Sequence, residues 1–516
     1  MSEPRINATL KSFREIAEND AQRVLLVNTS VSGALPTGKL YTNIGNDLTY
    51  VSDFGFDSRL TRDITAFKTL NPLTRLDVVS LAGTGAAATG SIDVNGVATA
   101  AGEITLTLAS RRDESYTFKA AAGDLANDIV TDFYAQITGQ VGLVPQLVRA
   151  SGFIIGPPAT LQFTATEPGA VGNSYGIEIS GRIPGISITL APMSGGTGTP
   201  VLTSVPDLLG DTRYQTVVAP YEFGAGFLTG LLDPRFNVAN NILDGVGLMT
   251  ITDTLANITI AAAAQDSTSL VLFANKKITE TLYAGPHVME AGHVVSASVA
   301  AIRSLRLTEG ANISSIVVAT QSSDQIGGAA IAGLPYANTP YVNLPTIDAG
   351  KGWTLAEEMQ LNAAGAAVFT NSRSGTVLLQ GRVVSTYKTD VLGAPDETFK
   401  FLNAVDVSSA IREFYFDQLK LRFAQSRLTL GDVEPNRAMT NPQGIAAFCV
   451  LLYQRLGSPD FVLVQAGAQS INFYKSNLNV KVLDLAIGSV QVSMKVLLVS
   501  QLRSIELPIE VTFTTF

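Results

Sequence analysis

A few stretches of this chain bring together residue types that can do chemistry. Gly172-Asn-Ser-Tyr-Gly176 fits, by letter, the G-x-S-x-G turn that presents a serine nucleophile. That device needs a strand before the serine and a helix after it, so that the strained turn exposes the hydroxyl. Here Pro168-Gly169 supplies turn chemistry ahead of Ser174, and a strand-like run follows. A serine nucleophile also needs a base, and the chain holds two histidines, His287 and His293. These flank Glu290, but a zinc protease needs its histidines four apart around the glutamate. Six residues of helix place the two rings on different faces. Polar packing at a helix start is the expectation for them. Ala349-Gly-Lys-Gly-Trp353 and Gly83-Thr-Gly85 are glycine-rich without matching a phosphate-binding loop. No paired-carboxylate site stands out. The sequence assigns no catalytic residue, no cofactor-binding residue and no metal ligand, and no enzyme activity is expected.

Composition points the same way. The chain has 516 residues, of which 46% are hydrophobic and 15% charged. Such a chain is too long for one ordinary core and too apolar to be disordered. A formal net charge of −9, with no long Lys/Arg run, argues against nucleic-acid binding. A low charge fraction suits a surface partly covered by partners. The single cysteine, Cys449, lies in an apolar run and reads as a small core residue. The first residues lack the apolar core of a secretory signal, and no apolar stretch is long enough to span a bilayer. A soluble protein made in the cytoplasm is expected.

The elements follow from pattern. Residues before about 23 read as an arm. Arg23-Val-Leu-Leu-Val-Asn28 is a continuous apolar run typical of a buried strand, followed by a turn at Leu35-Pro-Thr-Gly38. A helix over 59–69 and a strand over 76–81 complete one α/β unit. Glycine clusters at 82–90 and 194–200 then bracket an insertion, as hinges do. Within it, residues 91–96 and 103–108 alternate like paired strands. Asp124 is placed to cap a helix carrying Leu125, Ile129, Phe133 and Ile137. Residues 161–165 and 175–180 read as further strands. After 201, strands at 216–220 and 269–273 alternate with a helix over 289–305. Helices over 407–427 and 441–456 precede β-rich runs and a terminal strand. In that strand Ile509, Val511 and Phe513 alternate before Phe516. It needs an edge to pair with, in its own domain or in a neighbour's sheet.

The order of these segments resembles contractile phage tail sheath proteins, especially the Mu-like branch. Three stretches carry the resemblance. Arg23-Val-Leu-Leu-Val-Asn28 is followed by Asp53-Phe-Gly-Phe-Asp-Ser-Arg-Leu60 and Leu70-Asn-Pro72. The insertion, residues 85–197, is similar to the family's variable outer domain, and Gly169-Ala-Val-Gly-Asn173 matches a turn common there. Glu358-Met-Gln-Leu-Asn-Ala-Ala-Gly365, Ser374-Gly-Thr-Val377 and Gly381-Arg-Val-Val-Ser-Thr-Tyr387 resemble the family's helix, hairpin and strand. A helix ending Leu421-Arg-Phe-Ala-Gln-Ser-Arg-Leu428 and the opening Thr440-Asn-Pro442 follow. Ser385-Thr386 stands where paired threonines are usual, and the N-terminal arm matches poorly.

The resemblance implies an α+β multidomain fold. Residues 1–22 would form an N-terminal arm. Residues 23–82 and 200–385 would form a discontinuous α/β middle domain. Residues 83–199 would be a β-rich inserted outer domain. Residues 386–504 would form an α+β domain near the tail tube, and 505–516 a C-terminal arm. The arms exchange strands between subunits, which gives Ile509, Val511, Phe513 and Phe516 an inter-subunit role. The implied function is a non-enzymatic, cofactor-free subunit polymerised as stacked hexameric rings around the tube. Its contraction drives the tube through the host envelope. Implied partners are further copies, the tail tube, and the baseplate and terminator proteins, in a virion assembled in the host cytoplasm. Nucleic acid and membrane insertion have no part in it. The helix over 407–427 is apolar nearly all round, which suggests burial on more than one side. Its cations Arg412, Lys420, Arg422 and Arg427 are candidates to face the tube, with sheath–sheath or intradomain pairs as the alternative. Other readings are a related injection-system sheath, a tail-associated adhesin using residues 85–197, and a serine hydrolase acting through Ser174.

Overall fold

The computed structural model describes residues 22–498 except 237–242, 278–282, 285–289, 312–339, 372–376, 434–438 and shorter breaks. The described residues form two compact units, the larger of residues 22–308 and 340–405 and the smaller of residues 309–311 and 406–498.

The larger unit is organised by the first apolar run, which becomes β1 (Arg23–Ser30), buried from Val24 onward. A strand covered on both faces has no reason to alternate, so it reads as a continuous run. The edge strand β2 (Lys39–Tyr41) and helix α1 (Thr49–Phe54) follow. Helix α2 (Arg59–Leu70) starts at Ser58, whose side chain accepts a hydrogen bond from the Thr61 amide at 3.1 Å. It stops at Asn71, immediately before Pro72. The chain then enters β3 (Arg75–Ala82), parallel to β1 with Asp77 opposite Leu25.

The next residues build two small antiparallel sheets. In order they are β4 (Thr89–Gly96), β5 (Gly102–Leu108), β6 (Ser115–Ala120), helix α3 (Ala126–Gly139), β7 (Val148–Ile154), β8 (Ala159–Ala165), β9 (Ile177–Arg182) and β10 (Ile186–Ser194). One sheet runs β10-β4-β8-β7 and the other contains β9-β5-β6. The strands at 91–96 and 103–108 therefore exist but do not pair with each other. Each carries apolar residues at every second position and fits its own sheet, so alternation alone does not choose the partner. Ile92, Val94, Ile104, Leu106 and Leu108 are buried, as are Ile129, Phe133 and Ile137 of α3. Asp124 is not the cap of that helix. It bonds the Ala121 amide at 2.7 Å, while Asp128 accepts from the Leu125 amide at 2.8 Å. Leu125 itself is 46% exposed.

Two linkers lead into and out of this segment, side by side. Thr84 Oγ1 donates to the Thr199 carbonyl at 2.8 Å, and the Thr197 amide donates to the Ala86 carbonyl at 3.1 Å. Gly85 has φ +84°, and a Cβ there would lie 1.9 Å from the Thr197 oxygen. Only glycine fits both the backbone angle and the space.

The chain returns through helix α4 (Val205–Leu209), β11 (Thr216–Val218), α5 (Ala225–Phe236), β12 (Val246–Asp253), α6 (Leu255–Ala263) and β13 (Leu270–Lys276). After β14 (Tyr283–Ala284), which adds to β9, come α7 (Gly292–Ala311), β15 (Pro340–Tyr341), α8 (Leu355–Ala364), β16 (Ala366–Asn371) and β17 (Val377–Leu379). The main sheet has the order β15-β17-β16-β13-β12-β11-β1-β3-β2. Its six inner strands are parallel, and β2, β17 and β15 are antiparallel additions at the edges. The chain steps from β1 to β3 on one side and later to β11 on the other. A switch point therefore lies between β1 and β11, and open α/β sheets bind ligands outside the carboxyl ends of strands at such a point.

Residues 383–387, the described part of the segment 381–387, do not form the expected strand. They make one bridge, Val384 with Phe401, and their polar side chains fasten them elsewhere. Thr386 Oγ1 donates to Ser267 O at 3.1 Å, and Ser385 Oγ donates to Phe399 O at 2.6 Å. Residues 386–405 accordingly lie in the larger unit.

The smaller unit contains most of α9 (Leu402–Phe423), the short pair β18 (Arg427–Leu428) and β19 (Met439–Thr440), helices α10 (Pro442–Leu456) and α11 (Ala468–Asn477), and the hairpin β20 (Asn479–Asp484) with β21 (Ser489–Ser493). Asn441 caps α10 by accepting from the Gly444 amide at 2.8 Å, with Pro442 at the first helical position. Val407, Ile411 and Tyr415 of α9 bury against Ile445, Cys449 and Leu452 of α10. Tyr453 stacks on Tyr474 at 4.3 Å. Cys449 is fully buried, and burial pushes its thiol up to about 11, so it behaves as an inert core residue.

Candidate functional site

The first turn of α2 points charged side chains inward, because the Ser58 cap fixes where the helix begins. Arg59, Arg62 and Asp63 are all buried there. Glu167, from the loop after β8, is their counterpart. It accepts from the Arg59 amide at 2.8 Å and from the Thr29 hydroxyl. A carboxylate at a helix N-terminus meets unpaired amides and the positive end of the dipole. Burial nevertheless pushes its pKa up to about 7, outweighing the Arg59 charge. Asp63 accepts from Asn28 Nδ2 at 2.6 Å and faces His293 Nδ1 at 2.5 Å. Arg62 pairs with Glu290 at 3.2 Å. Burial lowers the pKa of His293 against the opposing pull of Asp63. The neutral ring thus carries its proton on Nδ1 and leaves Nε2 as an acceptor.

Beside this cluster lies a cavity of about 230 Å³. Its floor is formed by Arg59, Tyr175, His293 and Thr250, and its half-buried or exposed mouth by Glu222 and Asp253. Tyr221 and Glu222 follow β11, and Thr250 to Asp253 end β12, so the cavity sits at the carboxyl ends of the parallel strands. Arg59 Nη2 is 3.6 Å from Glu222. Burial raises the Tyr175 pKa, keeping the phenol protonated.

Ser174 and His293 line the same cavity, a juxtaposition that sequence spacing could not show. They do not form a nucleophile and base. Ser174 Oγ donates to Val171 O at 2.7 Å and lies 3.2 Å from Glu222, and His293 Nε2 has no hydrogen-bond partner. Ser174 ends a 3-10 turn (Ala170–Ser174) that leads into a strand, the reverse of the nucleophile arrangement. His287 lies outside the described residues. Among the described residues, no cluster of His, Cys, Asp and Glu has metal-binding geometry, and no helix is long and apolar enough to cross a membrane.

The cations expected to face a tube are not alike. Lys420 and Arg422 are exposed near the end of α9, with Lys420 Nζ 5.5 Å from the Phe416 ring centroid. Arg412 is half-buried and engaged in contacts of its own. Arg427 is exposed but lies in β18, beyond the helix. Nor is α9 covered all round, since Leu421 at its end is 66% exposed. Ile509, Val511, Phe513 and Phe516 lie outside the described residues, as does the N-terminal arm up to residue 21.

Comparison with known proteins bears on the family. No family model matches the sequence. The Mu-like prophage FluMu tail sheath protein of Haemophilus influenzae is 22% identical over 414 residues, covering 78% of this chain and 76% of that protein. Among solved structures, the sheath tail protein of Desulfitobacterium hafniense matches at 14% identity over 97% of both chains, with a TM-score of 0.45. The helical sheath of the anti-feeding prophage in its contracted state matches at 11% identity over 95% of this chain and 93% of that one, with a TM-score of 0.42. The resemblance carried by the sequence motifs is thus matched by a relative spanning most of the chain, and the family to which this protein is similar is that of the Mu-like phage tail sheath proteins.

Proposed function

We propose that the protein is the structural subunit of a contractile phage tail sheath, polymerising helically around a tail tube and contracting to drive the tube through the host envelope. The observation that carries this reading is the similarity to the Mu-like sheath protein over 78% of the chain. Identical subunits meeting head to tail build such a helical polymer. Contraction would run downhill from a trapped extended lattice, with no nucleotide consumed.

In this reading the segment from β4 to β10 forms the outer domain, the main sheet the middle domain, and the smaller unit faces the tube. The arms would exchange strands between neighbouring subunits, with Ile509, Val511, Phe513 and Phe516 pairing on a neighbour's sheet. Backbone ladders hold regardless of side-chain rearrangement, which suits a lattice that must stay linked while it moves. The exposed cations Lys420, Arg422 and Arg427 are the candidates to meet acidic groups on the tube. Baseplate and terminator proteins would cap the polymer at its two ends, in a virion assembled in the host cytoplasm. The chain would act without enzymatic chemistry.

Deleting the gene from its phage and viewing the particles tests this reading. Particles with a bare tube and no infectivity are expected, restored by the native chain. Complementation by Lys420→Glu with Arg422→Glu should give sheaths that detach from the tube at low salt. Particles with intact sheaths after deletion would refute the assignment.

A further inference from the structure

Helices α6 and α8 pack side by side on the main sheet, against β12, β13 and β16. Ile258 and Ala262 of α6 and Leu361 and Ala364 of α8 are buried there. A surface helix ordinarily turns charged or polar residues outward, opposite its buried stripe. These two do not. The outward face of α6 carries Ala256, Ile260 and Ala263, and that of α8 carries Leu355, Met359 and Ala363, each set at helical spacing. Ile260 and Leu355 are 69% exposed and Met359 is 66% exposed. Helix α3 of the same unit exposes Asp128 and Thr131 instead.

Charge is missing from this face for local reasons. Helix α6 has no ionisable residue. The two carboxylates of α8 are used elsewhere. Glu358 is buried, and Glu357 accepts from the Thr354 amide at 2.7 Å, closing the capping box, and pairs with Lys276 at 2.9 Å. Ile260, Leu355 and Met359, with the alanines beside them, present on the order of a few hundred Å² of apolar surface, the size at which an exposed patch marks an interaction site. That is a large share of the roughly 800 Å² that each partner buries in a standard interface.

Resting on the sheath reading, we propose that this face is a contact between neighbouring copies of the chain, buried when the sheath polymerises. The chain has a formal net charge of −9, so two copies repel wherever carboxylates meet and approach at least cost through an uncharged face. A basic partner would gain nothing here. The tube, in the same reading, is met by the smaller unit, whereas both helices belong to the larger one. Head-to-tail assembly sets the face against a different surface of the next copy, so it need not complement itself.

Two measurements on the full chain test the contact. In the first, native protein is assembled, alone or with the tail tube protein, and treated with hydrogen peroxide. Met359 sulfoxide, read by peptide mass spectrometry, should form at least about fivefold more slowly in the polymer than in subunits dispersed by dilution. In the second, Ile260→Glu is combined with Met359→Glu, which adds two carboxylates where glutamate suits a helix about as well or better. The melt should stay near the native one, and the concentration needed for assembly should rise at least about tenfold. Val141→Glu with Leu143→Glu, the same charge on an exposed turn after α3, should assemble like the native chain. Equal Met359 oxidation in polymer and subunit, or assembly of the Ile260 and Met359 double variant at the native concentration, would overturn this contact and leave the sheath reading standing. Equal loss of assembly in both double variants would overturn it too, since net charge alone would then explain the defect. A native chain that forms no polymer in either preparation would sink the sheath reading and this contact with it.

Discussion

Glu167 shows how one side chain can tie distant parts of a chain together. It comes from the segment that follows β3, yet its two oxygens are held by Thr29 at the end of β1 and by the first amide of α2. Its pKa rises from the ordinary 4.5 to about 7, so the folded state keeps a proton that the unfolded chain gives up first. The stabilising contribution is complete below about pH 4.5 and is lost as the pH rises through about 7. The loss is on the order of 3 kcal/mol at pH 8 relative to pH 4.5, since each pKa unit is worth about 1.4 kcal/mol. Chemical denaturation at pH 5 and pH 8 reads it. Glu167→Gln, neutral at both values, should flatten the decline between them, and an unchanged decline would place its origin elsewhere. Nothing local to Glu167 marks this role. Glu167 lies in a turn beside Pro168, and its partners are 138 and 108 residues away. Ser174 and His293 were visible as chemical types, but only folding brings them to one cavity.

At the scale of elements, local pattern was legible wherever burial enforced it. The continuous run at 23–28 and the helix at 59–69 form where they were read, because burial on both faces and a serine cap leave few alternatives. Pairing was less legible. The two alternating segments after Gly90 went to different sheets, since alternation fixes a face and not a neighbour. The polar segment 381–387 read as a strand, but Ser385 and Thr386 bind carbonyls outside any ladder. The glycine clusters were informative for a physical reason seen at Gly85. Gly85→Ala would force a side chain into a positive φ and against the Thr197 carbonyl. A loss of about 1–3 kcal/mol in folding stability is expected, read by thermal melting. A variant as stable as the native protein would show that the linker pair is not held in this conformation.

For the whole molecule, the order of soft motifs carried more than any one of them. A mixed α/β fold with several sheets was expected and is found. The proposed function rests on similarity to a Mu-like tail sheath protein over 78% of the chain, and not on any site that announces a reaction. Finer features depend on neighbours. Arg412 turns out to be half-buried and engaged in contacts, whereas Lys420 and Arg422 remain exposed at the end of α9. Cations in both situations look alike in a sequence, because periodicity reports burial only within the subunit. The assembly itself is the central claim. The most direct test is negative-stain electron microscopy of the purified protein, expressed alone and then mixed with the tail tube protein. Hollow tubes with a regular helical repeat are predicted in at least one of the two preparations. Discrete small oligomers in both would contradict the sheath assignment.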